Sequence, residues 1–173
     1  MTERFALCKI RSGDVLTLLL ARPDPERSTA LAREEYLRAG VQRCVWSMRS
    51  ITPQRFAVDH IIPFSLWGNN DLWNLIPVKP EVNGDKSDKL PATELLYERR
   101  ADVTTNWQVL QEALPNAFDK QAQTLLGRQL TGPINWKAEL FDCLRPAIEL
   151  TPIQRGVERW RPKAASRDAR PPP

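Results

Sequence analysis

The stretch "FAVDHIIPFSLWGNNDLWNLIPVKPEVNGDKSDKLP" covers residues 56–91 and decides the fold. It contains His60, the only histidine of the 173-residue chain, which directly follows the carboxylate Asp59 in an apolar run. Burying an unpaired carboxylate is costly, and a metal ion or a basic partner would relieve that cost. A lone histidine in such a run is more often a hydrogen-bonded core residue. The pair by itself therefore leaves both interpretations open.

Two further motifs follow the pair in a fixed order. D-H-I-I-P begins at Asp59, N-L-I-P begins at Asn74, and N-G-D-K-S begins at Asn83. Together they resemble the HNH endonuclease superfamily over roughly Arg43 to Pro91, and three motifs in order are more specific than any one. The resemblance implies an α+β fold with a ββα-metal (His-Me finger) core and mostly helical flanking elements. It also implies an endonuclease that hydrolyses phosphodiester bonds of nucleic acid with a divalent metal.

The resemblance also assigns a role to each residue of the motifs. Asp59 and Asn83 are expected to be the metal ligands, and His60 the general base that takes a proton from water. Asn74 is expected to fix the loop between the two strands. Lys86 lies one helical turn after Asn83 and is expected to stabilise charge at the site, with a solvated surface lysine as the alternative.

The third motif departs from the letters of the family name, because asparagine replaces histidine at position 83. Asp59 and Asn83 offer only oxygen ligands, and this chemistry favours Mg²⁺ (or Mn²⁺). Cys44 stands where many relatives begin a zinc-binding C-x-x-C pair, but no cysteine follows it at that spacing. We therefore expect Cys44 to pack in the core, with no structural zinc.

Strand geometry constrains the site. Neighbouring residues of a regular strand point to opposite faces, so Asp59 and His60 can serve one site only if the strand bends or ends there. On the second strand, Leu72, Asn74 and Ile76 are expected to share one face, with Asn74 pointing inward.

The flanking segments complete the domain prediction. Gly40 is expected to end a helix that begins at Asp24-Pro25, and Thr52-Pro53 to turn between extended segments. Propensity favours a loop over residues 80–91, and only the resemblance makes this segment a helix. The helical region after residue 91 is expected to break near Asp102 and Pro115, and a later helix to begin at Asn135 and kink at Pro146. The predicted divisions are a hairpin/helix appendage packed on the core over 1–40, the nuclease core over 41–91, a helical extension of the same domain over 92–160 and a disordered basic tail over 161–173.

Composition points weakly to a nucleic-acid partner. The formal net charge is +4 and the pI about 9.2, a mild bias towards a polyanion. DNA is favoured over RNA because most of the family cuts DNA. The candidate nucleic-acid contacts are Lys79, Lys86, Lys89, Arg159 and Arg161.

Other features bound the cellular setting. The three scattered cysteines are typical of a reducing compartment, and the short apolar run near the N-terminus cannot cross a bilayer. We expect a cytoplasmic protein without membrane contact, acting alone or in a larger phage, defence or guided complex. The alternative from another class is a catalytically silent HNH-fold subunit that binds nucleic acid or assists assembly.

Overall fold

The computed structural model describes residues 26–127 and 136–162, which form a mixed helix and strand fold of the α+β type. A 3₁₀ turn, Leu72–Asn74, directly precedes the strand Leu75–Val78. The elements in chain order are α1 (Ala30–Arg38), β1 (Ala57–His60), α2 (Phe64–Trp67), β2 (Leu75–Val78), α3 (Pro80–Lys86), β3 (Leu90–Pro91), α4 (Thr93–Glu98), α5 (Arg100–Ala113), α6 (Pro115–Leu126), α7 (Trp136–Arg155) and β4 (Arg159–Trp160). The predicted N-terminal hairpin and the Asp24-Pro25 helix start lie outside the described residues.

The site is built on two short antiparallel strands and the helix that follows them. Asp59 of β1 lies opposite Ile76 of β2, and His60 lies opposite Leu75. Helix α3 packs against β1. The helix predicted from the resemblance is therefore present. Pro80 occupies its first position, where the missing N–H of proline costs nothing.

The segment before β1 is less regular than predicted. Only two isolated bridges form there, Arg43 with Ser50 and Thr52 with Arg55, so the prediction of extended segments is wrong for most of residues 41–56. The predicted turn at Thr52-Pro53 is present, with Arg55 N–H donating to Thr52 C=O at 2.9 Å, and the chain also turns tightly at Met48, which has a φ of 59°. Its backbone joins the sheet at one point, where Val45 N–H donates to Pro77 C=O at 3.0 Å.

Helix α1 is fastened to the sheet by polar contacts from its buried side. The Tyr36 hydroxyl donates to Leu75 C=O at 2.9 Å, and the Arg33 guanidinium donates to Phe56 C=O at 2.5 Å. Gly40 adopts a φ of 65° just after the helix, which confirms the predicted termination. The predicted appendage thus contains a helix that packs on both strands.

The helices after β3 contribute buried residues to the same core as the strands. The predicted break near Asp102 lies at Arg99 instead, because Asp102 sits in the first turn of α5 where a carboxylate is favourable. The break at Pro115 is confirmed, since this residue begins α6. Helix α7 runs through Pro146 without interruption, and its predicted cap Asn135 lies outside the described residues. Its apolar face is fully buried at Leu140, Phe141 and Leu144.

The chain returns to the nuclease segment at its C-terminal end. Strand β4 pairs in parallel with β3, and the indole of Trp160 donates to Asp85 Oδ2 at 2.8 Å. Arg161 forms salt bridges with Glu94 and Glu98 at 2.9 and 3.4 Å, so the predicted disordered tail is wrong at this residue. Residues 163–173 lie outside the described part of the chain. Among the described helices, none is long and apolar enough to span a membrane.

Candidate active site

Asp59 is a buried carboxylate with donors on both oxygens. Its side chain is 3% exposed. The Trp46 indole donates to Oδ2 at 2.8 Å, and the Lys86 ammonium lies 3.2 Å from each of Oδ1 and Oδ2. The cost of burying this charge is therefore offset by a cation and a neutral donor from two other segments.

Lys86 is the cation of this pair, and it is fully buried. Its exposed fraction is 0%, so the alternative of a solvated surface lysine is wrong. The ammonium also donates to His60 C=O at 2.7 Å. In this conformation the side chain is not presented to nucleic acid, in contrast to its prediction as a contact. Lys86 thus lies one helical turn after Asn83 on α3, and its ammonium contacts two residues of β1.

His60 ends β1 and faces the loop that follows it. Its side chain is 1% exposed, packs near the Phe64 ring at 5.6 Å between centroids, and has Nε2 at 3.2 Å from Asn70 Oδ1. Burial lowers the pKa of His60 below its usual value; the Asn70 hydrogen bond acts in the opposite direction, and the charge of Arg27 lowers the pKa further. The imidazole is therefore neutral near pH 7, the form that can accept a proton.

The two neighbouring side chains Asp59 and His60 have different partners. The carboxylate contacts Trp46 and Lys86, whereas the imidazole contacts Asn70 and Phe64. Both residues pair in register with β2, and the strand ends at His60. Lys86 is the group that touches both, through the carboxylate of one and the backbone carbonyl of the other.

Asn74 joins the two ends of the loop between the strands. Its amide accepts from Ile62 N–H at 2.8 Å and donates to Ile62 C=O at 3.0 Å and to Asn69 C=O at 3.3 Å. It lies in the 3₁₀ turn before β2, so the expected strand alternation from Leu72 through Asn74 is wrong. The Asn74 side chain is fully buried and satisfies the backbone N–H and C=O of Ile62, which lies beyond the end of β1.

Asn83 lies on α3, one turn before Lys86. Its side chain is half-buried and makes no hydrogen bond within residues 26–127 and 136–162. Asn83 and Asp59 both carry oxygen atoms, the type of ligand that Mg²⁺ prefers. Within the described residues, no three His, Cys, Asp or Glu side chains gather as a metal-binding group.

The remaining predicted nucleic-acid contacts lie on the surface and differ in their partners. Lys79 is half-buried, and its neighbour Glu81 pairs with Arg55 at 3.1 Å. Lys89 approaches Glu158 at 3.9 Å. The Arg159 guanidinium donates to Pro91 C=O at 3.2 Å, and Arg161 is engaged by two glutamates as described above. Arg161 is therefore the most strongly paired of these four residues, and its charge is the least available to a nucleic acid.

Sequence reasoning missed three residues around the site. Trp46 contacts Asp59, and its ring meets that of Trp160 edge-on at 6.2 Å between centroids. Asn70 contacts His60. The only local signal for Asn70 is its place in the polar loop 68–71, and nothing in the sequence pairs either tryptophan with the motifs.

Comparison with known families agrees with this geometry. The family model described as HNH endonuclease matches residues 44–92, which confirms the resemblance and places this segment in the HNH superfamily. The match implies a nuclease-type function and binding of nucleic acid, and HNH nucleases generally use a divalent metal. No curated protein matches the chain significantly.

Proposed function

We propose that this protein is a metal-dependent HNH endonuclease that hydrolyses phosphodiester bonds, with DNA as the preferred substrate. The observation that carries the proposal is a buried, neutral imidazole at the end of β1, directly beside a buried carboxylate and its cation. Both lie within the segment that matches the HNH endonuclease family. The strand pair and α3 are the ββα-metal core in this proposal.

His60 is the general base of the proposed reaction. It accepts a proton from a water molecule, and the water oxygen attacks the phosphorus atom. A positioned base of this kind contributes about 10²–10⁴-fold to the rate. Asn74 holds the loop that follows the base, so that the imidazole keeps its place relative to β2.

Asp59 and Asn83 would hold the divalent cation. When bound, such a cation supplies positive charge for the phosphate oxygens and the leaving oxygen. Lys86, which donates to the same carboxylate, would add positive charge beside the phosphate. Mg²⁺ or Mn²⁺ suits the oxygen donors better than zinc does.

A cleavage assay tests this function. Purified protein is incubated with supercoiled plasmid, linear duplex, single-stranded DNA and RNA, each with Mg²⁺, Mn²⁺ or EDTA. We expect cutting of DNA that requires the metal and stops with EDTA. Cutting that continues in EDTA would contradict the proposed requirement for a metal. Cutting of RNA alone would contradict DNA as the preferred substrate.

A second candidate, a catalytically silent HNH-fold subunit that binds nucleic acid or assists assembly, is favoured by the same ion pair. Lys86 and Trp46 already supply donors to both oxygens of Asp59, as expected of a site that has lost its metal. Binding of nucleic acid without cutting, on every substrate and with every metal, would favour this candidate.

The surface charges give a prediction about nucleic-acid binding. Lys79→Gln is expected to weaken binding to duplex DNA and to reduce the slope of log affinity against log salt by about 1. Fluorescence anisotropy over a salt series in EDTA measures both. Arg161→Gln is the matched control, because Glu94 and Glu98 already bind its guanidinium, and we expect it to change the slope less. Equal effects of the two variants would contradict this prediction.

A further inference from the structure

The orientation of the Asn70 amide is fixed by the backbone of the segment before α1. Its Nδ2 donates to Glu26 C=O at 2.7 Å, and its Oδ1 accepts from Ser28 N–H at 3.0 Å. Exchanging the two amide atoms would place a donor against a donor and an acceptor against an acceptor. The atom that faces His60 is therefore the carbonyl oxygen, which can only accept.

This orientation decides which nitrogen of His60 carries the proton. Nε2 lies 3.2 Å from Asn70 Oδ1, and a hydrogen bond between them requires a proton on Nε2. The neutral ring then has its lone pair on Nδ1. This atom is buried and has no hydrogen-bond partner within residues 26–127 and 136–162. A buried acceptor without a partner is costly, and a bound water removes that cost.

We propose that Asn70 is a positioning residue that holds neutral His60 as its Nε2–H tautomer, so that Nδ1 is the proton acceptor of the cleavage reaction. The inference rests on the proposed function and names the reacting atom of the same base. The O–H bond of water breaks and its proton binds the Nδ1 lone pair, giving an imidazolium. The oxygen forms a new P–O bond while the old bond to the leaving oxygen breaks, and the leaving oxygen takes a proton from solvent.

The segment before α1 thereby becomes part of the support of the site. Asn70 is separated from Glu26 and Ser28 by more than 40 residues, yet its amide bonds to both of them and to the base. Arg27 lies between these two residues, and its positive charge acts on His60.

Nitrogen NMR of the single histidine reads the tautomer directly. The ¹⁵N-labelled protein gives one set of imidazole signals, and long-range proton–nitrogen correlations assign each nitrogen, because Nε2 couples strongly to both ring C–H protons. At a pH where the ring is neutral, we expect the protonated nitrogen to be Nε2. A wild-type spectrum with the proton on Nδ1 would overturn the proposal, whether or not the protein cuts DNA.

Variants separate positioning from mere stability. Asn70→Ala removes the acceptor, and we expect both tautomers to appear and the cleavage rate to fall about 10-fold or more, part of the contribution of the base. Asn70→Asp keeps an acceptor and is expected to restore the Nε2–H tautomer and part of the rate. Asn69→Ala is the control, because the Asn69 side chain bonds to Asp71 and not to His60.

Two outcomes distinguish this proposal from the proposed function. An unchanged tautomer and an unchanged rate in Asn70→Ala would overturn the positioning role while leaving the nuclease intact. A wild-type protein with the Nε2–H tautomer that cuts no substrate would contradict the nuclease and still support the placement of the proton by Asn70.

Discussion

Replacement of His60 by glutamine is expected to lower the cleavage rate by about 10²–10⁴-fold, because it removes the general base. Glutamine retains a polar side chain of similar reach but has no basic nitrogen near neutral pH. Burial already keeps the pKa of His60 low, so the wild-type imidazole is competent as a base at neutral pH. The measurement is the initial rate of plasmid nicking with Mg²⁺ or Mn²⁺ at saturating protein.

Loss of activity must be separated from loss of fold. Circular dichroism and thermal unfolding of His60→Gln should match the wild-type protein closely, and Asn69→Ala should retain cutting as a control in the same loop. A folded His60→Gln variant that cuts at the wild-type rate would sink the assignment of the base.

Replacement of Asp59 by alanine is expected to lower the free energy of unfolding by about 3–5 kcal/mol, because it leaves the Lys86 ammonium buried without its carboxylate. Lys86 is 0% exposed, and its only other acceptor among the described residues is His60 C=O. The reverse variant, Lys86→Ala, should cost a similar amount by stranding Asp59. Urea unfolding monitored by circular dichroism measures both values.

A double variant tests the cause of that loss. Asp59→Asn combined with Lys86→Met removes both charges and keeps an acceptor for the Trp46 indole, so it should recover much of the stability. Glu34→Gln is the control, since its pair with Arg38 is about two-thirds exposed and should contribute less than about 1 kcal/mol. An Asp59→Ala variant as stable as the control would show that the pair carries no such free energy.

The same ion pair links stability to the proposed chemistry. In the proposed function Asp59, which binds Lys86 in the structure, is also a ligand of the divalent cation. The Lys86 ammonium, which belongs to α3, donates to the His60 carbonyl on β1, the strand that carries the proposed base. Stability and activity of variants at these two positions therefore need to be measured together.

Much of the core could be predicted from the sequence because its signals are local. The apolar runs around Asp59-His60 and Leu75–Val78 predict buried strands, and the order of the three motifs predicts the helix over residues 80–86 despite its poor propensity. The failures are also physical. Bridges replaced strands before residue 57, and the 3₁₀ turn at Asn74 replaced an alternating strand, because loop closure and side-chain hydrogen bonds override period-two patterns.

The partners of the charged residues could not be predicted in this way. The resemblance predicts Lys86 at the site, but the sequence does not show its burial, which depends on a carboxylate 27 positions away along the chain. Asn70 reads as loop filler, and its role follows from contacts with Glu26 and Ser28. Neither contact leaves a pattern in the nearby sequence.

The sequence by itself determined the resemblance of residues 44–92 to HNH endonucleases, the strand–strand–helix order and the position of the histidine, since these follow from letters at fixed spacing. Only the tertiary structure decided that Lys86 neutralises Asp59 and that Asn70 faces the imidazole. The reason is that burial forces each polar atom to find a partner, and which donor or acceptor reaches it depends on segments that folding brings together.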